Sequence, residues 1–102
     1  MNLDKRAISG IHGGVRYSTA TATVLASDEY WDGHNFERQG RNTFLLRGKS
    51  GRYFAAHLTM WQGERDHIEP LEEGEAAALY EQLAEHPTEF KEAFPNRVLE
   101  EA

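Results

Sequence analysis

Asn42-Thr43-Phe44-Leu45-Leu46-Arg47-Gly48-Lys49-Ser50-Gly51-Arg52-Tyr53-Phe54-Ala55-Ala56-His57-Leu58-Thr59-Met60-Trp61-Gln62 decides the fold of this chain. Two apolar-rich runs, Asn42 to Gly48 and Arg52 to Gln62, flank the connection Lys49-Ser50-Gly51. A three-residue hairpin loop needs positive φ near its end, and Gly51 supplies it. Pairing Gly48 with Arg52 sets Leu46 opposite Phe54, Phe44 opposite Ala56 and Asn42 opposite Leu58. One face of the hairpin then reads Phe44, Leu46, Phe54, Ala56, Leu58, Met60, and is the expected core face. A slip of one residue would turn this whole set into water, so the register is firmly specified.

The opposite face reads Thr43, Leu45, Arg47, Tyr53, Ala55, His57, Thr59, Trp61. It is too aromatic to face water alone and too polar for a core. Upstream, Val15 to Ala26 alternates strictly and is rich in β-branched Thr and Val, which predicts one long strand. With Ala20, Ala22 and Val24 toward the core, its Tyr17, Thr19, Thr21 and Leu25 extend the second face. A single helix packed on the core face leaves that second face needing cover. A homodimer, or residues 28–41 folded back as a lid, would provide it. Asp32-Gly33 marks a turn in that segment, and Tyr30, Trp31 and Phe36 give it apolar material to pack. Before the strand, Ser9-Gly10-Ile11-His12-Gly13-Gly14 reads as a flexible lead-in or a turn. It is not a phosphate loop, since no Gly-Lys-Ser/Thr ending opens a helix.

Downstream, Glu73 to Glu85 reads as a helix, with Ala76, Leu79, Tyr80 and Leu83 in one apolar stripe. Glu72, Glu73 and Glu75 suit its N-terminal dipole, and His86-Pro87 ends it. Thr88 can cap a short second helical stretch running to Phe94, before Pro95 stops it. Residues 96–102 read as a tail. Between hairpin and helix lies a corner, Trp61, Gly63, Glu64, Arg65 and Asp66, from which Ile68 and Leu71 re-enter the core. The expected architecture is α+β: one domain, residues 1–102, holding an antiparallel meander of three to four strands with the C-terminal helix packed on one face.

Charge is divided along the chain. The net value is −6, yet residues 1–61 carry eight Lys/Arg against five Asp/Glu, and residues 62–102 three against twelve. Such a chain can pair its own halves, pair with a second copy, or face two partners. Arg16, Arg41, Arg47, Lys49 and Arg52 with Tyr17, Tyr53 and Trp61 could form a basic-aromatic nucleic-acid surface, but the acidic balance argues against one. The chain has no Cys, which excludes disulfides, thiolate metal sites and thiol nucleophiles. Met1 to Arg6 leads into no apolar run and no membrane span is present, so a cytoplasmic protein is expected.

Two clusters could carry chemistry. Asp32, His34 and Glu37 are each able to bind a divalent ion, but their spacing matches no rigid ligand pattern, and a turn with a surface His explains them. Glu64, Asp66, His67 and Glu69, with His57, could place a general acid beside a base. Strand alternation sends neighbouring members opposite ways, and Arg65 interrupts the run. His57 itself fits a half-buried sheet residue bonded to Thr43. Ser9, Ser18, Ser27 and Ser50 lack a nucleophile-elbow setting.

Tyr30-Trp31-Asp32-Gly33, then Leu46-Arg47 through Gly51-Arg52-Tyr53-Phe54, then Trp61-Gln62-Gly63-Glu64-Arg65-Asp66 with Ile68-Glu69-Pro70-Leu71 and Glu75-Ala76, form a recognisable block. Over residues 30–85 the chain resembles a group of small bacterial proteins in which a hairpin is followed by a Trp-Gln-Gly corner and a C-terminal helix. That resemblance implies the fold and transfers no activity or catalytic residue. Gly74 and Glu72 depart from good helix-start chemistry. The expected role is a non-catalytic binding or regulatory module without cofactor or metal. It would act on a protein partner or on itself through Tyr17, Leu45, Arg47, Tyr53, His57 and Trp61. The alternative is a small metal-dependent enzyme using His57, Glu64, Asp66 and His67.

Overall fold

In a computed structural model, which describes residues 3, 6–28 and 40–102, six strands and two helices follow one another along the chain. They are β1 (Ser9–His12), β2 (Val15–Ser18), β3 (Thr23–Ser27), β4 (Arg41–Arg47), β5 (Tyr53–Thr59), β6 (His67–Leu71), α1 (Glu73–Gln82) and α2 (Phe90–Ala93). Strands β3 to β6 form a four-stranded antiparallel meander in sequence order, and β1 pairs with β2 as a separate two-stranded sheet. The fold is α+β. In the β4–β5 hairpin Leu46 pairs with Phe54, Phe44 with Ala56 and Asn42 with Leu58, the register read from the sequence. Gly51 turns the chain at φ +91°.

The stretch from Val15 to Ala26 is not one strand. A 3-10 turn at Thr19–Thr21 divides it, with the Ser18 side chain accepting from the Ala20 N–H. Thr19 is buried, and its hydroxyl accepts from Ile8 N–H at 3.0 Å and lies 3.3 Å from the Ile8 carbonyl. Local side-chain bonds of this kind compete with a strand ladder and stop it. The glycines before it form a defined hairpin turn, with Gly13 at φ +58° and Gly14 at φ +76°. Positive φ at both central residues suits the two-residue loop joining β1 to β2.

Both faces of the main sheet are covered by the chain itself. Phe44, Leu46, Phe54, Ala56 and Leu58 are buried with Ile68 and Tyr17, with Ile8, Val15, Ala22 and Val24 packed against them. This cover comes from the N-terminal hairpin, with Tyr17 edge-on to Phe54 at 5.4 Å between ring centroids. Tyr17 therefore belongs to the first face, not the second. Met60, expected there too, lies past the end of β5 and is 62% exposed. The helix takes the other face. Leu45, Leu25 and Ala26 are buried with Ala76, Ala77, Tyr80 and Leu83, so the helix stripe is as read but meets the opposite side of the sheet. A register shift between Val24 and Ala26 gives Leu25 and Ala26 together to that side. Small residues there, Ala26 on the sheet against Ala76 and Ala77, let the helix axis come close.

Helix α1 stops at Gln82 rather than Glu85. Ser27 and Glu85 exchange both backbone bonds, at 2.8 and 2.9 Å, which draws Glu85 into extended pairing with β3. Thr88 caps nothing. Its hydroxyl donates to the Val24 carbonyl at 2.8 Å, and Glu89 precedes α2 instead. Ile68 and Leu71 lie on β6, a strand where only a corner was expected, and being three apart they face opposite sides. Pro70 fits because β6 is an edge strand, where a missing N–H costs no ladder bond when it points outward. Among the described residues no helix is long and apolar enough to cross a membrane. The lid expected from residues 28–41 falls almost wholly on 29–39, outside the described residues.

Candidate functional site

Strand pairing lays the helix-side face out in rows. Arg47, Tyr53 and Leu71 lie at the hairpin end; Thr43, His57 and His67 lie at the other, four residues or roughly 13 Å of strand away. Helix α1 covers the middle, where Leu45 is fully buried. Leu45 is thus core, not a contact residue. The face offers two separate ends to solvent.

At the hairpin end the aromatic and cationic side chains serve α2. Arg47 donates to the carbonyls of Glu92 at 2.7 Å and Ala93 at 3.0 Å. Tyr53 donates its hydroxyl to the Ala93 carbonyl at 2.7 Å and stacks on Phe94 at 5.1 Å. Cations and donors at a helix C-terminus satisfy carbonyls that the helix cannot. Tyr17, Arg47 and Tyr53 nevertheless line one cleft of about 710 Å³ with Arg52, Glu73 and Glu92. The sequence placed these three in one contact surface; the structure brings them to one cleft although Tyr17 reaches it from the far side of the sheet.

At the other end a groove of about 400 Å³ is lined by Arg41, Thr43, His57, Thr59, Arg65 and His67. His57 Nε2 lies 2.9 Å from Glu69 Oε1, and Nδ1 lies 3.4 Å from Thr43 Oγ1. A carboxylate only accepts, so Nε2 donates to Glu69. His67 stacks on His57 at 4.7 Å and donates from Nδ1 to the Arg65 carbonyl at 3.2 Å.

The corner is built around Thr59. Its N–H donates to Asp66 Oδ1 at 2.9 Å, its hydroxyl donates to Glu64 Oε1 at 2.6 Å, and its Oγ1 accepts from Trp61 N–H at 3.0 Å. Arg6 ties the same place together, reaching the Thr59 carbonyl at 3.0 Å and Asp66 Oδ2 at 2.7 Å. Glu64 takes both Nε and Nη2 of Arg41, the bidentate geometry guanidinium and carboxylate share. Those bonds, from Arg41 first and Thr59 second, hold the Glu64 carboxyl below its usual range, and the bond to Glu64 raises Arg41. Gly63, at φ +90°, turns the loop. Trp61 is 53% exposed yet seated, for a methyl group at Gly40 would stand 2.9 Å from its Nε1, and the Arg41 guanidinium lies 5.6 Å from its ring.

The acid–base cluster comes together only in part. Glu64 and Asp66 hold the corner, while His57 meets both Glu69 and His67. Among the described residues no three His, Asp or Glu could hold one metal ion. Asp32, His34 and Glu37 lie outside the described residues. The five cations of the expected nucleic-acid surface divide as well: Arg41 and Arg47 are bonded as described, and Arg16, Lys49 and Arg52 gather at a third cleft of about 260 Å³. Sequence reading gave Glu73 only a place in the first turn of the helix, yet one of its carboxylate oxygens is buried with no hydrogen-bond partner among the described residues. No local pattern announces it, because its burial depends on where α1 docks. No family model, curated protein or solved structure matches the chain.

Proposed function

We propose that this chain is a small non-catalytic binding or regulatory module that works on a protein partner or by self-association. The observation supporting it is how the reactive side chains are used. Glu64, Asp66, Arg41 and Arg47 are each committed to bonds that hold a loop or a helix end, and Glu69 to a cross-strand bond with His57. A general acid or base needs a free proton site facing a substrate, and these residues face one another. What remains for recognition is surface: the groove beside Trp61 and the clefts around the hairpin turn. Trp and Arg at the rim of such clefts are the residue types that dominate contact energies.

Elemental analysis of the untagged protein, paired with sedimentation over a concentration series, tests this reading. The expected result is a metal-free protein whose mass responds to concentration or to an added partner. Stoichiometric zinc, manganese or iron that His57→Ala removes would overturn it in favour of metal-dependent chemistry.

A further inference from the structure

Two clefts of opposite charge lie side by side at the hairpin turn and share Tyr17 and Arg52. The smaller carries Arg16 from β2 and Lys49 and Arg52 from the turn, and no carboxylate lines it among the described residues. The larger carries Glu72, Glu73 and Glu75 from the start of α1 and Glu92 from α2. Its one other cation, Arg47, is occupied by the α2 carbonyls.

Among the described residues these charges are left without ion pairs: Arg16, Lys49 and Arg52 have none within 4.0 Å, although Arg52 borders the acidic cleft. On the acidic side, Glu73 has a buried oxygen without a donor. Such an atom has given up contact with water without a donor in exchange, an arrangement that a donor from outside would relieve. Adjacent patches of opposite sign are self-complementary under a two-fold rotation, since each meets its opposite on the second copy. Apolar material adjoins them: Val98 and Leu99, 88% and 65% exposed, follow Asn96 of the acidic cleft by two and three residues. Charge gives orientation and speed of encounter, and apolar burial supplies affinity.

We propose that the chain forms a two-fold homodimer in which the β4–β5 turn of each copy, with Arg16, Lys49 and Arg52, enters the acidic cleft of the other. The proposal rests on the binding-module reading and names its partner as a second copy. Glu73 accepts from an incoming cation, and the Val98–Leu99 segments close the contact beside it. This interface lies at the opposite end of the sheet from Trp61.

Equilibrium sedimentation of the full chain at low and high salt tests it, using two double charge reversals at exposed positions, Lys49→Glu with Arg52→Glu, and Glu72→Lys with Glu92→Lys. The wild type is expected to dimerise at low salt, more weakly as salt rises. Each reversed variant should dimerise at least about tenfold more weakly, and an equimolar mixture of the two should recover a heterodimer. A folding defect cannot produce that recovery. A wild type monomeric throughout, a dimer indifferent to both reversals, or a mixture that stays monomeric would each overturn the proposal. Retention of a monomer that binds phosphate or an acidic peptide at Lys49 and Arg52 would overturn it too. A dimer lost in Trp61→Ala but not in the reversals would sink this interface and leave the binding-module reading standing.

Discussion

Glu64 sits where three demands meet: it holds Arg41 in a two-pronged bond, accepts from Thr59, and closes the loop that carries Trp61. None of this shows in the sequence, where Arg41 and Glu64 stand 23 residues apart. Alternation and turn chemistry are local signals, and an ion pair closed by the fold is not. The expected joint at Trp61–Asp66 was legible from its Gly and its abrupt change of residue type; its wiring was not. The bonds have a pH consequence of definite sign. A carboxyl held below its usual range in the folded state stabilises the fold above the unfolded value, and that contribution fades as pH falls through the folded one. Glu64→Gln should therefore flatten the acid side of the stability curve. Urea midpoints measured at neutral and acidic pH, for wild type and variant, would show it as a smaller loss in the variant. High salt should shrink the difference, since both partners face solvent.

At the scale of elements, the β4–β5 hairpin could be read to the residue because its core face tolerates one register only. The break at Thr19–Thr21 could not, because Thr and Ala keep alternating straight through it and the deciding bonds are side chain to backbone. Strand β6 was hidden by Pro70 and by its charges, both of which argue against a strand until one knows that it lies at an edge. Glu72 and Gly74 are poor residues for a helix start, yet Glu75 reaches back to the Glu72 N–H at 2.9 Å and fixes it. Gly74 is a plain weakness. A methyl group there would meet nothing within 4 Å, so Gly74→Ala should stabilise the protein by about 0.5–1 kcal/mol. Guanidinium unfolding would register this as a higher midpoint at unchanged slope. A lower midpoint would mean the position has a contact not visible in the free chain.

Across the whole molecule, one sheet serves two cores. Phe54 is buried toward the N-terminal hairpin, and its neighbours Tyr53 and Ala55 look toward the helices. Sequence alternation defined both faces but could not say which would receive α1, because each holds enough apolar surface to accept it. Since β4 and β5 each send side chains into both cores, neither core can melt without stripping the strands that support its partner. Thermal unfolding followed by far-ultraviolet circular dichroism and by aromatic absorbance should give coincident curves. Two separated transitions would mean that the halves are independent units.

The β1–β2 hairpin has a different standing from the sheet it covers. Its ladder is two strands wide and stops at itself, whereas β4 and β5 are paired on both sides. Isolated two-stranded ribbons are marginal in water. Cooperative melting of the whole is compatible with this ribbon lifting by itself in the native state, a local opening that needs less free energy than unfolding. Backbone amides of Gly10 to Tyr17 should then exchange with deuterium well before those of Phe44 to Leu46 and Phe54 to Leu58. Each such opening would bare Phe44, Leu46 and Phe54 for a moment. The rate at which this protein clumps on storage would be set by the flicker of its first hairpin, not by the stability of its sheet.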